Sequence, residues 1–217
     1  MLFIAEVGQN FLGNLQTAKD LIYASKSAGA DIVKFQLYDS KKLYGEYQST
    51  EVDKETAIAL VDYARKVNIE IMFSVFDNER VDWCEEFGVK RYKLACGWIY
   101  KDIYKKVKET GKPIIASSVL TKHFPYQNVD YLYCVPEYPA DFSLFNLSKV
   151  NFKRYAGISD HSIGTEVCLA AVARGANIIE KHITQNKDAA GPDHKLSITP
   201  PELRKLIESS KRIKEAL

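Results

Sequence analysis

Four side chains raise the chemical question in this chain: Lys34, Lys93, His161 and His182, each in or just past a short β-rich run. Lysine is almost never buried without a partner, so lysines on strand-like segments belong at a polar mouth rather than in an apolar wall. Ser74, Ser117 and Ser159 close other such runs. Ammonium groups supply charge and hydroxyls supply neutral donors, the combination that a phosphorylated or polycarboxylate ligand requires. The competing reading pairs Lys34 and Lys93 with Glu6 and Glu180 as structural ions. His161 and His182 end neighbouring runs, where two imidazoles can share one metal, with water or a carboxylate of Glu6, Glu180 or Asp193 completing the shell. Two histidines fit a hydrogen-bonded structural pair equally well. Gln36 shares a strand face with Lys34, and Gly191-Pro192-Asp193-His194 reads as a rigid turn, or as a plain loop in which Asp193 caps the approach to the last helix. Tyr126, Tyr131 and Tyr133 read as packing, Tyr138 as a pocket residue, His123 as a surface-loop residue, and Cys96 and Cys134 as small fillers.

The elements that must carry these residues alternate along the chain. Strands are predicted at 3–7, 31–36, 69–75, 91–96, 114–118, 129–135, 153–159 and 177–184. Amphipathic helices are predicted at 15–28, 53–67, 78–87, 100–110, 164–174 and 200–217, with Leu15, Ala18, Leu21, Ile22 and Ser25 on the buried face of the first and Asn14 as its N-cap. A long polar loop is predicted over 38–50, no regular helix over 121–128, and one or two helical turns over 142–150. Repeated βα units imply a parallel sheet with right-handed crossovers. Eight of them imply an α/β fold, a (β/α)₈ TIM barrel, whose usual size is about 250 residues with a floor near 200. At 217 residues the barrel is trimmed, with its fifth helix reduced or absent. An open doubly wound sheet is the second choice, weakened by the lack of GxGxxG after the first strand.

Composition narrows the class of function. Thirty Lys+Arg against 28 Asp+Glu give a net charge of +2, too little surplus for a nucleic-acid binder. With 46% hydrophobic and 27% charged residues the chain reads as one globular domain over 1–217. No apolar run approaches the roughly 18 residues of a membrane span, and the start lacks the features of a signal peptide. Four cysteines without CxxC spacing point to a reduced, cytoplasmic chain rather than a zinc ribbon.

Taken in order, Ile4-Ala5-Glu6-Val7-Gly8, Val33-Lys34-Phe35-Gln36, Tyr92-Lys93-Leu94-Ala95, Ser159-Asp160-His161-Ser162-Ile163-Gly164, Ile179-Glu180-Lys181-His182-Ile183-Thr184 and Gly191-Pro192-Asp193-His194 resemble the N-acetylneuraminate (sialic acid) synthase family, which includes spore-coat polysaccharide, pseudaminic acid and legionaminic acid synthases. The resemblance covers nearly the whole chain. It implies a barrel that condenses phosphoenolpyruvate with an N-acetylated aminosugar aldehyde, giving a nonulosonic 2-keto acid and phosphate. It implies a divalent metal, Mn²⁺ before Mg²⁺ or Co²⁺, on His161 and His182. It places Lys34, Ser74, Lys93, Ser117, Tyr138, Ser159 and Glu180 on substrate, with Glu6, Gln36 and Asp193 as the catalytic candidates. Departures fall on the sugar side. The chain stops after the eighth helix, where the family carries an antifreeze-like domain. Asn10-Phe11 stands for Asn-His, Cys96 for a serine, Ser117-Ser118-Val119-Leu120 for Ser-Thr-Gly-Met, and Pro136 for a polar residue. A homodimer or a separate lid subunit is the partner expected besides the small molecules. The competing functions are a degenerate barrel that binds an anion or serves as a scaffold, and an aldolase using Lys93 as a Schiff base.

Overall fold

Period-two alternation in the β-rich runs becomes the two faces of one closed sheet. The computed structural model describes residues 1–121 and 123–217. Its strands are β1 (Leu2–Glu6), β2 (Ile32–Leu37), β3 (Glu70–Val75), β4 (Tyr92–Leu94), β5 (Ile114–Ser118), β6 (Val129–Cys134), β7 (Gly157–Asp160) and β8 (Ile178–His182). All pair in parallel with their chain neighbours, and β8 closes on β1 to complete a barrel. Helices α1 (Leu15–Ala28), α2 (Ser40–Tyr44), α3 (Lys54–Lys66), α4 (Asn78–Phe87), α5 (Ile103–Glu109), α6 (Glu166–Ala173) and α7 (Pro200–Glu215) lie between and after the strands.

Local chemistry sets the boundaries. The Asn14 side chain accepts a hydrogen bond from the Thr17 amide at 2.9 Å to start α1, and Gly29, at φ 100°, ends it. α7 opens with a capping box between Thr199 and Glu202 and with Pro200 in its first turn. The apolar stripes of α1, α3 and α7 (Leu21 and Ile22, Leu60 and Val61, Leu206 and Ile207) press on the outward strand residues Phe3, Val33, Phe35 and Phe73. Inside the barrel, Ile4, Ile32, Met72, Ile115, Leu132 and Ile178 form a separate apolar layer. Two residues further along these strands the same inward face carries Glu6, Lys34, Ser74, Ser117 and Glu180. The barrel is thus plugged below and polar above, at the carboxyl ends of its strands.

The trimming falls where the sequence places it. Between β5 and β6 no helix occurs among the described residues; Lys122, within the stretch predicted as irregular, lies outside them. Aromatic rings cover the wall there instead. Tyr126 stacks on Tyr104 with centroids 3.6 Å apart, and Phe124 meets Tyr131 and Tyr155 edge-on at 4.8 and 4.9 Å. Two short 3₁₀ turns, Phe142–Leu144 and Leu147–Lys149, stand between β6 and β7. Some predicted boundaries move. The polar loop after β2 contains α2, because Asp39 caps it through the Lys42 amide at 3.0 Å. β7 starts at Gly157 rather than Lys153, because Asn151 folds 151–154 into a turn that accepts from the amides of Lys153 and Arg154. Gly157 also has a packing reason: a Cβ there would stand 1.8 Å from the Ile178 carbonyl oxygen, so only glycine lets β7 lie this close to β8.

Candidate active site at the barrel mouth

Register brings the candidate residues to one level. Glu6 is the cross-strand partner of both Lys34 and His182, Gln36 of Ser74, Ser74 of Lys93, and Ser159 of Glu180. These side chains all point inward and line one small pocket, with Phe76, Ala95 and Cys96 added from the loops after β3 and β4.

The polar groups form a chain of contacts around the pocket floor. The Lys34 ammonium pairs with a Glu6 oxygen, donates to Ser74 Oγ at 3.0 Å, and lies 3.8 Å from Glu180 Oε2. Lys93 Nζ donates to Ser117 Oγ at 2.7 Å and lies 3.2 Å from Glu180 Oε1. Ser159 Oγ donates to the same Glu180 oxygen at 2.8 Å, and Gln36 Nε2 donates to Glu6 Oε1 at 3.1 Å. The contacts of the structural-ion reading are therefore present, but all of them share one cavity with three hydroxyls.

Burial and charge separate the two carboxyls. Burial pushes the Glu6 carboxyl up to about 7, and Lys34 offsets this only in part. Burial works the same way on Glu180, but Lys34 and Lys93 together outweigh it and hold that carboxyl at about 2. For Lys34 burial favours the free amine, yet Glu180 and Glu6 win and its pKa rises. Near neutral pH the site therefore holds one firm carboxylate and a second carboxyl that takes up a proton far more readily, with the Lys34 ammonium against both. Both lysines and three serine hydroxyls donate into the one pocket, a donor set suited to an anion.

Both histidines are neutral at this level. Burial and the facing His182 bring His161 down to about 4, and burial with the Lys34 charge brings His182 to about 3. His161 Nδ1 lies 2.8 Å from the Val135 carbonyl oxygen, which can only accept, so Nδ1 carries the proton and Nε2 keeps a lone pair. The ring centroids of the two histidines are 5.7 Å apart, and Tyr138 stacks on His161 at 4.1 Å. His182 Nδ1 is buried without a hydrogen-bond partner, its nearest acid, Asp193 Oδ2, standing 3.7 Å away. Asp193 comes this near because Gly8, at φ 53°, has no Cβ; one there would stand 3.0 Å from Asp193 Oδ2 and 3.2 Å from the His182 ring. Asp193 does not cap the last helix, a role filled by Thr199. No group of three or more His, Cys, Asp and Glu side chains among the described residues forms a metal cage. Two neutral, lone-pair-bearing imidazoles, one of them orphaned, nevertheless fit a divalent cation whose other ligands are water or substrate oxygens.

A model of the NeuB family matches residues 21–217 of this chain. The chain belongs to the NeuB family. Among NeuB relatives, the N,N'-diacetyllegionaminic acid synthase of Campylobacter jejuni is 36% identical over 257 positions, covering all of this chain and 77% of that protein. The human N-acetylneuraminate-9-phosphate synthase is 32% identical, covering 99% of this chain and 70% of its own length. A crystal structure of the sialic acid synthetase from Leptospira borgpetersenii, in complex with citrate, superposes with a TM-score of 0.89 at 29% identity, over 99% of this chain and 84% of that one. Since 257 aligned positions face a chain of 217, the Campylobacter NeuB protein carries inserted residues that this chain lacks.

Sequence reasoning overlooked one feature of this NeuB barrel. Behind its wall Lys181 Nζ donates to Asp160 Oδ2 at 3.0 Å and to the Ser162 carbonyl, while Asp160 Oδ1 accepts from the Ser162 amide at 2.8 Å. Asp160 and Lys181 are cross-strand partners and fully buried. Each immediately precedes a site histidine, so the pair fixes His161 and His182 from the opposite face. The signal was readable: an acid and a base beside the two histidines, on the faces that alternation turns outward. Asn10 is likewise structural, bonding the Ile183 carbonyl at 2.9 Å and Ser197 Oγ at 2.8 Å, so the first loop is tied to the segment after β8.

Proposed function

We propose that this chain condenses phosphoenolpyruvate with an N-acetylated aminosugar aldehyde to give a nonulosonic 2-keto acid and inorganic phosphate, with a divalent metal, Mn²⁺ first, held by His161 and His182. Family membership and the names of the relatives support the reaction class. The observation that carries the reading is the convergence of Lys34, Lys93, Ser74, Ser117 and Ser159 on one pocket floor beside two neutral imidazoles. No helix among the described residues is long and apolar enough to cross a membrane, and four free thiols suit work in the cytoplasm.

In this reading Lys34 and Lys93 take the carboxylate and phosphate charge of phosphoenolpyruvate, and the three serines bond its remaining oxygens. Glu180 pairs with both lysines and holds them aimed inward. Carbon 3 of phosphoenolpyruvate bonds to the aldehyde carbon, water bonds to carbon 2, and the carbon–oxygen bond to phosphate breaks. The aldehyde oxygen gains a proton, and Glu6, balanced near 7, is the group placed to hold and move it. The metal, when bound, supplies Lewis acidity at the aldehyde oxygen. Tyr138, stacked on His161, Gln36 in the pocket wall and Asp193, buried behind His182, are the residues assigned to the sugar side in this reading.

Phosphate release from phosphoenolpyruvate with Mn²⁺, scanned over N-acetylated aminosugars, tests the reading. Release that depends on one aldehyde supports it. A second reading, an anion-binding barrel without turnover, is favoured by the self-pairing of Lys34 and Lys93 with Glu6 and Glu180. Thermal stabilisation by phosphoenolpyruvate with no phosphate release from any aldehyde would establish it in place of the first.

A further inference from the structure

The mouth of the pocket has two unlike sides. The ends of β7, β8 and β2 bring His161, His182 and Gln36 to one side. Past β3 and β4, the lining is Phe76, Ala95 and Cys96. Phe76 lies two residues beyond Ser74 on the same inward face, one step above the hydroxyl that Lys34 meets. Other rings hold it there. Trp98 meets Phe76 edge-to-face with centroids 4.8 Å apart, and the buried ring of Tyr38 does so at 6.0 Å. The Tyr38 hydroxyl is occupied by Thr50 Oγ1 at 3.0 Å, and Trp98 is placed by a turn in which its amide donates to the Ala95 carbonyl at 3.0 Å. Both Phe76 and Trp98 are half-buried. Among the described residues that line the pocket, the only ammonium groups are Lys34 and Lys93, both already paired on the floor, and there is no guanidinium.

We propose that Phe76, backed by Trp98, selects acceptors whose far end is a methyl group: N-acetylated 6-deoxy aminosugars, in preference to aminosugars that end in a hydroxymethyl group or a phosphate. The inference rests on the function proposed above and adds which acceptor the site takes. With its aldehyde carbon on the imidazole side, a six-carbon acceptor extends across the mouth toward the Phe76 ring. An aromatic face gains by covering hydrocarbon. A hydroxyl brought against the same face gives up water and meets a ring and the Ala95 methyl, neither of which bonds it. A phosphate there meets no free cation. One small group in an apolar subsite is worth about 10- to 200-fold in kcat/KM. Phe76 is only half-buried, so the low end, about 10-fold, applies to the hydroxymethyl sugar. The phosphorylated sugar, which also brings charge to an apolar wall, is disfavoured more strongly.

The test compares three N-acetylated 2-aminomannoses that differ only at carbon 6, which carries hydrogen, hydroxyl or phosphate. Phosphate release from phosphoenolpyruvate with Mn²⁺ gives kcat/KM for each. The 6-deoxy sugar should lead by about 10-fold or more. In Phe76→Ala that lead should collapse, mainly through KM of the 6-deoxy sugar, and in Phe76→Leu, which keeps apolar area, it should largely survive. Circular dichroism checks the fold of both variants, and calorimetry with phosphoenolpyruvate alone checks the floor. A preference for the hydroxyl or phosphate sugar, an unchanged lead in Phe76→Ala, or a loss of phosphoenolpyruvate affinity in Phe76→Ala as large as the loss of acceptor would overturn the proposal. A binding arm needs no turnover. The chain has two tryptophans, and Trp83 stacks with Arg80 in α4, so Trp83→Phe leaves Trp98 as the sole reporter. With phosphoenolpyruvate present, the 6-deoxy sugar should change Trp98 emission at a lower concentration than the other two. No response to any of the three overturns the proposal whether or not phosphate is released. Selective binding without release leaves the proposal standing and sinks the synthase reading, and release without discrimination does the reverse.

Discussion

Replacing Glu6 by glutamine tests the protonation state on which the proposed proton transfer depends. In the folded chain the Glu6 carboxyl sits at about 7 against an ordinary 4.5, because it is buried. A carboxyl raised on folding binds its proton more tightly in the native state, so its stabilising contribution is complete below pH 4.5 and is lost as pH rises through 7. The difference of roughly 2.5 pH units corresponds to about 3 kcal/mol. Glutamine resembles the protonated acid and cannot titrate. The stability of Glu6→Gln relative to the parent should therefore rise by about 3 kcal/mol between pH 4.5 and 8, with most of the change below pH 7. Titrating groups that do not interact with Glu6 are common to both proteins and cancel to first order. The measurement is urea unfolding by tryptophan fluorescence at half-unit pH steps, in chelator so that no metal alters the site. Two stability curves that run parallel from pH 5 to 8 would show that Glu6 titrates normally and would remove it as the proton carrier. The same variant should release less phosphate than the parent while still binding phosphoenolpyruvate, since Lys34, Lys93 and the three serines remain.

Lys93→Met removes one charge-assisted anchor and should weaken phosphoenolpyruvate binding by about 10- to 100-fold, read by calorimetry with the fold checked by circular dichroism; unchanged affinity would refute the anion-site assignment. His182→Ala should reduce Mn²⁺ affinity at least roughly tenfold in metal titrations without phosphoenolpyruvate, and equal affinity would show that the cation sits elsewhere. Asp160→Asn leaves Lys181 buried without its counter-charge and should cost about 3–5 kcal/mol of unfolding free energy, whereas Asp160→Leu with Lys181→Met together should cost less than either change alone. Additive losses in that cycle would show that the two residues act independently.

The barrel was legible because its signals repeat. Each β-rich run has period-two alternation, each helix has a cap or a glycine stop, and eight such units admit few topologies. The floor of the site was legible for the same reason: once the runs are strands, Glu6, Lys34, Ser74, Lys93, Ser117, Ser159 and Glu180 fall on inward positions near strand ends. What alternation alone could not give is pairing across the barrel. Lys34 lies in register with Glu6, but its approach to Glu180 crosses to a strand that is not its neighbour, so the division between a raised Glu6 and a lowered Glu180 required coordinates. β7 was misplaced because Lys153 and Arg154 extend the alternating pattern while Asn151 turns the backbone.

The two inner layers of the barrel provide an internal comparison. The lower layer, from Ile4 to Ile178, is what a closed barrel needs for stability alone, since burying each such side chain contributes about 1.5–3 kcal/mol. One pleat higher, these strands together with β4 place two lysines and two glutamates in similar burial. Replacing buried ion pairs of this kind by apolar residues is commonly neutral or stabilising by about 1–4 kcal/mol, so the polar layer gives the fold no advantage that isoleucine and leucine would not give. A purely structural pair would also be self-contained, as Asp160 and Lys181 are behind the wall, where the lysine's bonds close on the acid and one carbonyl. At the mouth, by contrast, Glu180 is shared between two lysines, burial pushes the Glu6 carboxyl up to about 7, and His182 Nδ1 has no hydrogen-bond partner. These are the marks of a network left open for something else to complete. An anion that brings its own charge to Lys34 and Lys93, and a cation that takes the lone pairs of His161 and His182, would complete it at once.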